Sequence, residues 1–145
     1  MWANEGPRAR FNLDYLDKLF QEKKHMVGAH MNFDEEICEY KYILSLDGND
    51  WSSVATLILK SNSLMMCPIP KWHNIIHFKL EPWVHYVPLK DDTSDLEEKL
   101  EWCDSNQEEC EAMVRNANVY MSYFNEDSEL AIEKKILEKL YENAQ

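Results

Sequence analysis

The residues best placed by type and spacing to do chemistry lie in the run Asp47-Gly48-Asn49-Asp50-Trp51-Ser52-Ser53. A polar turn that leaves a strand and feeds a helix offers backbone N–H groups, serine hydroxyls and the positive end of a helix dipole at one spot, a combination that binds anions such as a diphosphate. Turns of this kind also occur in α/β proteins without any ligand, so the pattern defines a candidate only. A second candidate is the pair His73 and His77, four residues apart, the spacing at which two imidazoles on one helical face hold zinc. No His-Glu-x-x-His pattern and no third ligand accompany them, and two partly buried histidines near a cleft are the preferred reading. Cys38, Cys67, Cys103 and Cys110 include no C-x-x-C pair. They read as small apolar residues in a reducing compartment, with Cys103 and Cys110 on one helical face.

The elements that must position the polar run follow from periodicity. Tyr42 to Leu46 reads as a strand, a helix opens near Ser52 or Ser53, and a second strand starts at Leu64, which makes one βαβ unit. Upstream, Asn12 caps a predicted helix with Lys23, Lys24 and His25 in its last turn, Met26 to Ala29 reads as a short strand, and Phe33 to Tyr40 delivers the chain into the unit. Downstream, Pro68-Ile-Pro70 stops the second strand because proline gives no ladder N–H. Lys71 to Phe78 reads as a short helix and Val84 to Val87 as a third strand, with Tyr86 in the core. Thr93, Ser94 and Asp95 are N-cap candidates for a helix through Cys103. Further helices are predicted from Gln107 and from Asp127-Ser128, the last with a stripe of Ile132, Ile136, Leu137, Leu140 and Tyr141. The expected fold class is α/β: a small parallel Rossmann-like sheet flanked by helices, with a helical carboxyl-terminal region. Residues 1–145 form a single domain in this reading, with an α/β core over about 26–104 and packing helices over 105–145. In such sheets ligands sit beyond the carboxyl ends of the strands, where three loops converge here.

Composition narrows the function. The chain carries 27 Asp and Glu against 15 Lys and Arg, a net charge of −12, which excludes nucleic acid as a main partner. No run reaches the roughly 20 apolar residues of a membrane helix, so no transmembrane segment is expected. With no signal peptide in view, the expected location is cytoplasmic, peripheral at the inner membrane face at most.

A set of ordered blocks then identifies a family. Tyr40-Lys41-Tyr42, Asp47-Gly48-Asn49-Asp50, Ser63-Leu64, Pro82-Trp83-Val84-His85-Tyr86-Val87-Pro88-Leu89-Lys90 and Ser94-Asp95-Leu96 together resemble the carboxyl-terminal half of glycosyltransferase family 90. The forms Gly-Asn-Asp and Ser-Asn-Ser-Leu are closest to its bacterial lipopolysaccharide branch. The resemblance implies a nucleotide-sugar-dependent transferase of GT-B architecture, this chain being the half that grips the donor, a UDP-sugar by expectation. It implies no metal or other cofactor beyond that co-substrate. Residues implied at the donor are Gly48, Asn49, Asp50, Trp51, Ser52 and Ser53, with His85, Arg8 and Arg10 as further candidates. Val54 stands where protein O-glucosyltransferases of the family carry an arginine, so the phosphate charge must be met by Lys60, Lys71, Lys90, Arg8 or Arg10. The resemblance implies a glycan acceptor such as lipopolysaccharide core, held by an amino-terminal half to which nothing here corresponds. Either the sequence is truncated or split from that half, or an acceptor-binding domain on another chain supplies it together with the catalytic base. The alternative is a nucleotide-sugar-binding or interaction module without turnover, and an acidic helical scaffold is a third reading.

Overall fold

A computed structural model describes Lys18 and residues 40–48, 50–72 and 74–143. Apart from Lys18, the expected helix from Asn12 lies outside the described residues, as do the strand at Met26, the turn at Phe33, and Arg8, Arg10, Cys38, Asn49 and His73.

The described chain is α/β, with three parallel strands in the order β1-β2-β3: β1 Tyr42–Leu44, β2 Leu64–Pro68 and β3 Val87–Leu89. β2 sits between the other two, Tyr42 opposite Leu64 and Met66 opposite Val87. Every residue of β2 is buried, as a central parallel strand requires. Its side chains alternate between two apolar layers. Leu64 and Met66 pack with Leu96, Cys103, Cys110 and Met113, while Met65 and Cys67 pack with Ile58, Tyr86, Ala117 and Met121.

Four α-helices are described: α1 Ala55–Lys60, α2 Leu96–Ser105, α3 Gln107–Ser122 and α4 Glu126–Asn143, with a 3-10 helix at Ile75–Lys79. α3 serves both layers, because Cys110, Met113, Ala117 and Met121 recur at helical spacing along one face. Its Asn118 Nδ2 donates to the Ser61 carbonyl at 2.8 Å, with the Leu59 and Val114 carbonyls at 3.4 and 3.0 Å, and so satisfies acceptors left open where α1 ends. Asn118→Ala is expected to lower the unfolding free energy by about 1–2 kcal/mol in urea titration. A loss below ~0.5 kcal/mol would assign the α1–α3 contact to apolar packing alone.

Several expectations are corrected. The third strand starts at Val87, not Val84, because Glu81 to His85 closes a turn: the His85 N–H donates to the Glu81 carbonyl and the Glu81 N–H to His85 Nδ1, both at 3.0 Å. Trp83 in that turn has φ 63°, the left-handed region, which no extended strand contains. Pro88 is tolerated because β3 is an edge of the described sheet. Cys103 and Cys110 do not share one helix: α2 stops at Ser105, and Cys110 Sγ reaches back to the Cys103 carbonyl at 3.7 Å. Asp95 precedes α2 but makes no capping bond; its Oδ1 accepts the Lys90 N–H at 2.9 Å instead. No residue of α4 is buried, so the stripe from Ile132 to Tyr141 is exposed and the segment does not pack on the sheet as expected.

Candidate functional site

The three strands point the same way, so their carboxyl ends at Leu44, Pro68 and Leu89 open on one edge. β1 does not end abruptly: the Ser45 N–H donates to the Met66 carbonyl at 2.9 Å, and Ser45, Leu46 and Asp47 stay buried. The chain then turns at Gly48, whose N–H donates to the Asp50 carbonyl at 3.0 Å. That donor is committed within the turn. A Cβ on Gly48 would meet no atom within 4 Å, so the position opens on space rather than on packed neighbours.

The helix expected at Ser52 or Ser53 opens later, at Ala55, and is six residues long. Ser52 supplies its carbonyl to the Ala55 N–H at 3.0 Å, and neither serine side chain caps the helix. Ser52 is half-buried and Ser53 exposed, which leaves both hydroxyls at the edge. With so short a helix the dipole contributes little, and the anion-binding capacity of this loop rests on hydroxyls and local N–H groups.

Trp51 ties this loop to the next one. Its ring meets the His77 ring edge-on, the centroids 3.6 Å apart. His77 is buried and fixed by the 3-10 helix it belongs to: Asn74 Oδ1 accepts the N–H groups of Ile76 and His77, and the Asn74 N–H donates to His77 Nδ1. The connection after β2 is therefore packed directly against the connection after β1. Sequence periodicity gave no sign of this contact, because it joins two loops.

His85 is placed on the turn before β3. Its Nδ1 accepts from Glu81 and its ring lies 5.1 Å from that of Tyr120, whose hydroxyl donates to the Ile76 carbonyl. The structure thus gathers Gly48, Asp50, Trp51, Ser52 and Ser53 on one loop and gives His85 a packing role against α3.

Charge at the carboxyl edge is mostly negative. The segments nearest the strand ends carry Asp47, Asp50, Asp91, Asp92 and Asp95 against Lys71 and Lys90. Hydrogen bonds from Ser94, with Lys90 nearby, hold the Asp92 carboxyl below the usual carboxylate range. Lys71 Nζ pairs with Asp91 Oδ2 at 2.7 Å, joining the connections that follow β2 and β3. Lys60 ends α1 just before Ser61 to Ser63 lead into β2, which puts it at the opposite, amino edge.

That amino edge holds a cleft which sequence reasoning missed, about 260 Å³ in volume and lined by Lys41, Tyr42, Asn62, Leu64, Cys110, Glu111, Val114 and Arg115. Its residues come from three separated segments, so no local pattern announces it. Lys41 Nζ bonds Gln107, whose Nε2 donates to the Tyr42 hydroxyl at 2.9 Å, and the phenol is pushed up to about 12, chiefly by burial. The cleft surface is mostly apolar, and both of its cations are engaged, Lys41 by Gln107 and Arg115 by Glu111 at 3.5 Å.

A parallel sheet with loops converging at its carboxyl edge defines a Rossmann-like half-domain. Comparison with known families adds the chemistry class: the model described as "Glycosyl transferase family 90" matches residues 4–129. The chain belongs to glycosyltransferase family 90. It is similar to the O-glucosyltransferase LpsA of Dichelobacter nodosus, 41% identical over 87 residues that cover 59% of this chain and 27% of that protein. It is also similar to the uncharacterized protein 179R of Invertebrate iridescent virus 6, 32% identical over 94% of this chain and 12% of that protein. Protein O-glucosyltransferase 3 of Homo sapiens is 31% identical over 101 residues, 69% of this chain and 20% of that protein. The chain thus spans about a quarter or less of the length of these relatives. Among the described residues no helix is long and apolar enough to cross a membrane.

Proposed function

We propose that this chain binds a nucleotide-sugar, with UDP as the nucleotide, at the carboxyl edge of its sheet, and that it is the donor half of a GT-B glycosyltransferase. The supporting observation is the family match over residues 4–129, a span that encloses all three connections converging on that edge. Ser52 and Ser53 hydroxyls, with N–H groups of the loop that Gly48 opens toward Ser53, other than that of Gly48 itself, contact the diphosphate, and Trp51 is held in place for the loop by His77. Arg8 and Arg10 are further donor contacts in this reading. In sugar transfer the diphosphate leaves with a growing negative charge, and donors already aimed at it lower the barrier. The acceptor is a glycan such as lipopolysaccharide core, which sets the work at the inner face of a membrane. The acceptor's binding surface and the catalytic base belong to a second domain or chain. No metal takes part.

The test is titration calorimetry with UDP and UDP-glucose, wild type against Ser52→Ala/Ser53→Ala. Wild type is expected to bind both, and the double variant to bind roughly tenfold more weakly, as the loss of hydrogen bonds to a charged group implies. Absence of binding to any nucleoside diphosphate would overturn the proposal. Binding without sugar transfer, even when an acceptor domain is added, would favour the second reading of a donor-binding module without turnover.

A further inference from the structure

The charge balance at the carboxyl edge poses a problem for a diphosphate. Five carboxylates lie on the segments nearest the strand ends, and a ligand with two or more negative charges must be met there by a cation. Lys60 is at the opposite edge and Lys90 lies beside Asp92 on the connection from the outer strand β3. Lys71 follows β2, the central strand, and its connection is the one that touches the diphosphate loop through His77 and Trp51. Its ammonium is engaged by Asp91 at 2.7 Å, yet both side chains remain about half exposed, 51% and 57%. An exposed pair of this kind is weak, and dissolving it costs at most about fivefold in an equilibrium constant. A diphosphate presents more charge and more acceptor oxygens than one carboxylate, so it wins the exchange.

Resting on the nucleotide-sugar reading above, we infer that, among the described residues, Lys71 is the cation that meets the donor diphosphate, and that Asp91 competes for it in the empty site. Binding then swaps one partner of Lys71 for another. Asp91 lowers the affinity: it holds the ammonium between the connections that follow β2 and β3 while the site is empty. Four forms of the chain test this, titrated calorimetrically with UDP and with uridine: wild type, Lys71→Met, Asp91→Asn and the double variant. UDP affinity is expected to fall about tenfold in Lys71→Met and to rise about three- to fivefold in Asp91→Asn, with uridine binding unchanged in both. In the double variant the gain from Asp91→Asn is expected to vanish, because there is no ammonium left to release. An equal gain in the Lys71→Met background would show that Asp91 acts only as a like charge, and would overturn the inference while leaving the donor reading intact. Unchanged UDP affinity in Lys71→Met would also overturn it. A wild-type chain that binds uridine and UDP equally, or neither, removes the diphosphate site and the inference with it.

Discussion

Tyr86→Ala is expected to destabilise the fold by about 3–5 kcal/mol, the range for deleting a large buried aromatic ring. Tyr86 is 1% exposed and packs in the layer that also holds Ile58, Met65 and Cys67. Two costs add: lost burial of the ring, and a cavity that the surrounding sheet and helices cannot close. Tyr86 also marks the point where the turn from Glu81 enters β3, since its carbonyl accepts the Trp83 N–H at 2.8 Å and it forms an isolated bridge with Pro82. Tyr86→Phe keeps the ring and is expected to cost under ~1.5 kcal/mol. A urea titration of both variants checks the prediction, and a small loss for Tyr86→Ala would contradict the burial described here.

Cys103 is expected to react with a neutral thiol reagent at least about a thousandfold more slowly in the folded chain than in the unfolded one at pH 7. It is fully buried, and burial pushes its thiol up to about 12, with the neighbouring Cys110 and Asp104 adding to the rise. An ordinary thiol ionises near 8.5, so the reactive thiolate fraction falls by three orders of magnitude before access is considered. Burial also raises the Cys67 and Cys110 thiols, so all three described cysteines share the protection. The same shifts predict a pH dependence of stability. A thiol or phenol whose ionisation is raised by folding contributes fully at pH below its unfolded value, and the contribution is lost as pH climbs toward the folded one. Stability is therefore expected to decline from about pH 8.5 upward, first through Cys103 and then through Tyr42 near pH 10 to 12. Rapid labelling of Cys103 in native buffer, in a chain with Cys38 replaced by serine, would contradict both expectations.

What the sequence made legible were features with local causes. The βαβ unit was readable because Tyr42 and Leu64 begin apolar runs of strand type, with a polar turn and an apolar helical segment between them. The helices from Leu96 and Gln107 were readable from their periodic apolar positions, and the burial of Cys67, Cys103 and Cys110 from their chemistry. Features with non-local or side-chain causes were not. The third strand starts three residues later than its alternation suggests because His85, which alternates like a strand residue, is used through its ring nitrogen to close a turn on Glu81. Ser52 and Ser53 are good caps in general, yet here the turn is completed by the Ser52 carbonyl and the helix begins at Ala55. The α4 stripe shows the limit of amphipathic reasoning: apolar periodicity says that a face can be buried and not what buries it. At the candidate site, the polar loop was visible in one stretch of chain. Its packing on His77 and the Lys71–Asp91 pair join residues from different strands, and only the parallel order of β1, β2 and β3 brings them to one edge.

The most direct measurement is a two-dimensional amide NMR titration of the labelled chain with UDP. Shifts are expected to saturate together and to cluster on Gly48 to Ser53, on Ile69 and Lys71 after β2, and on Lys90 to Asp92 after β3. Shifts confined to Lys41, Tyr42 and Arg115 around the amino-edge cleft, or no shifts at millimolar UDP, would contradict it.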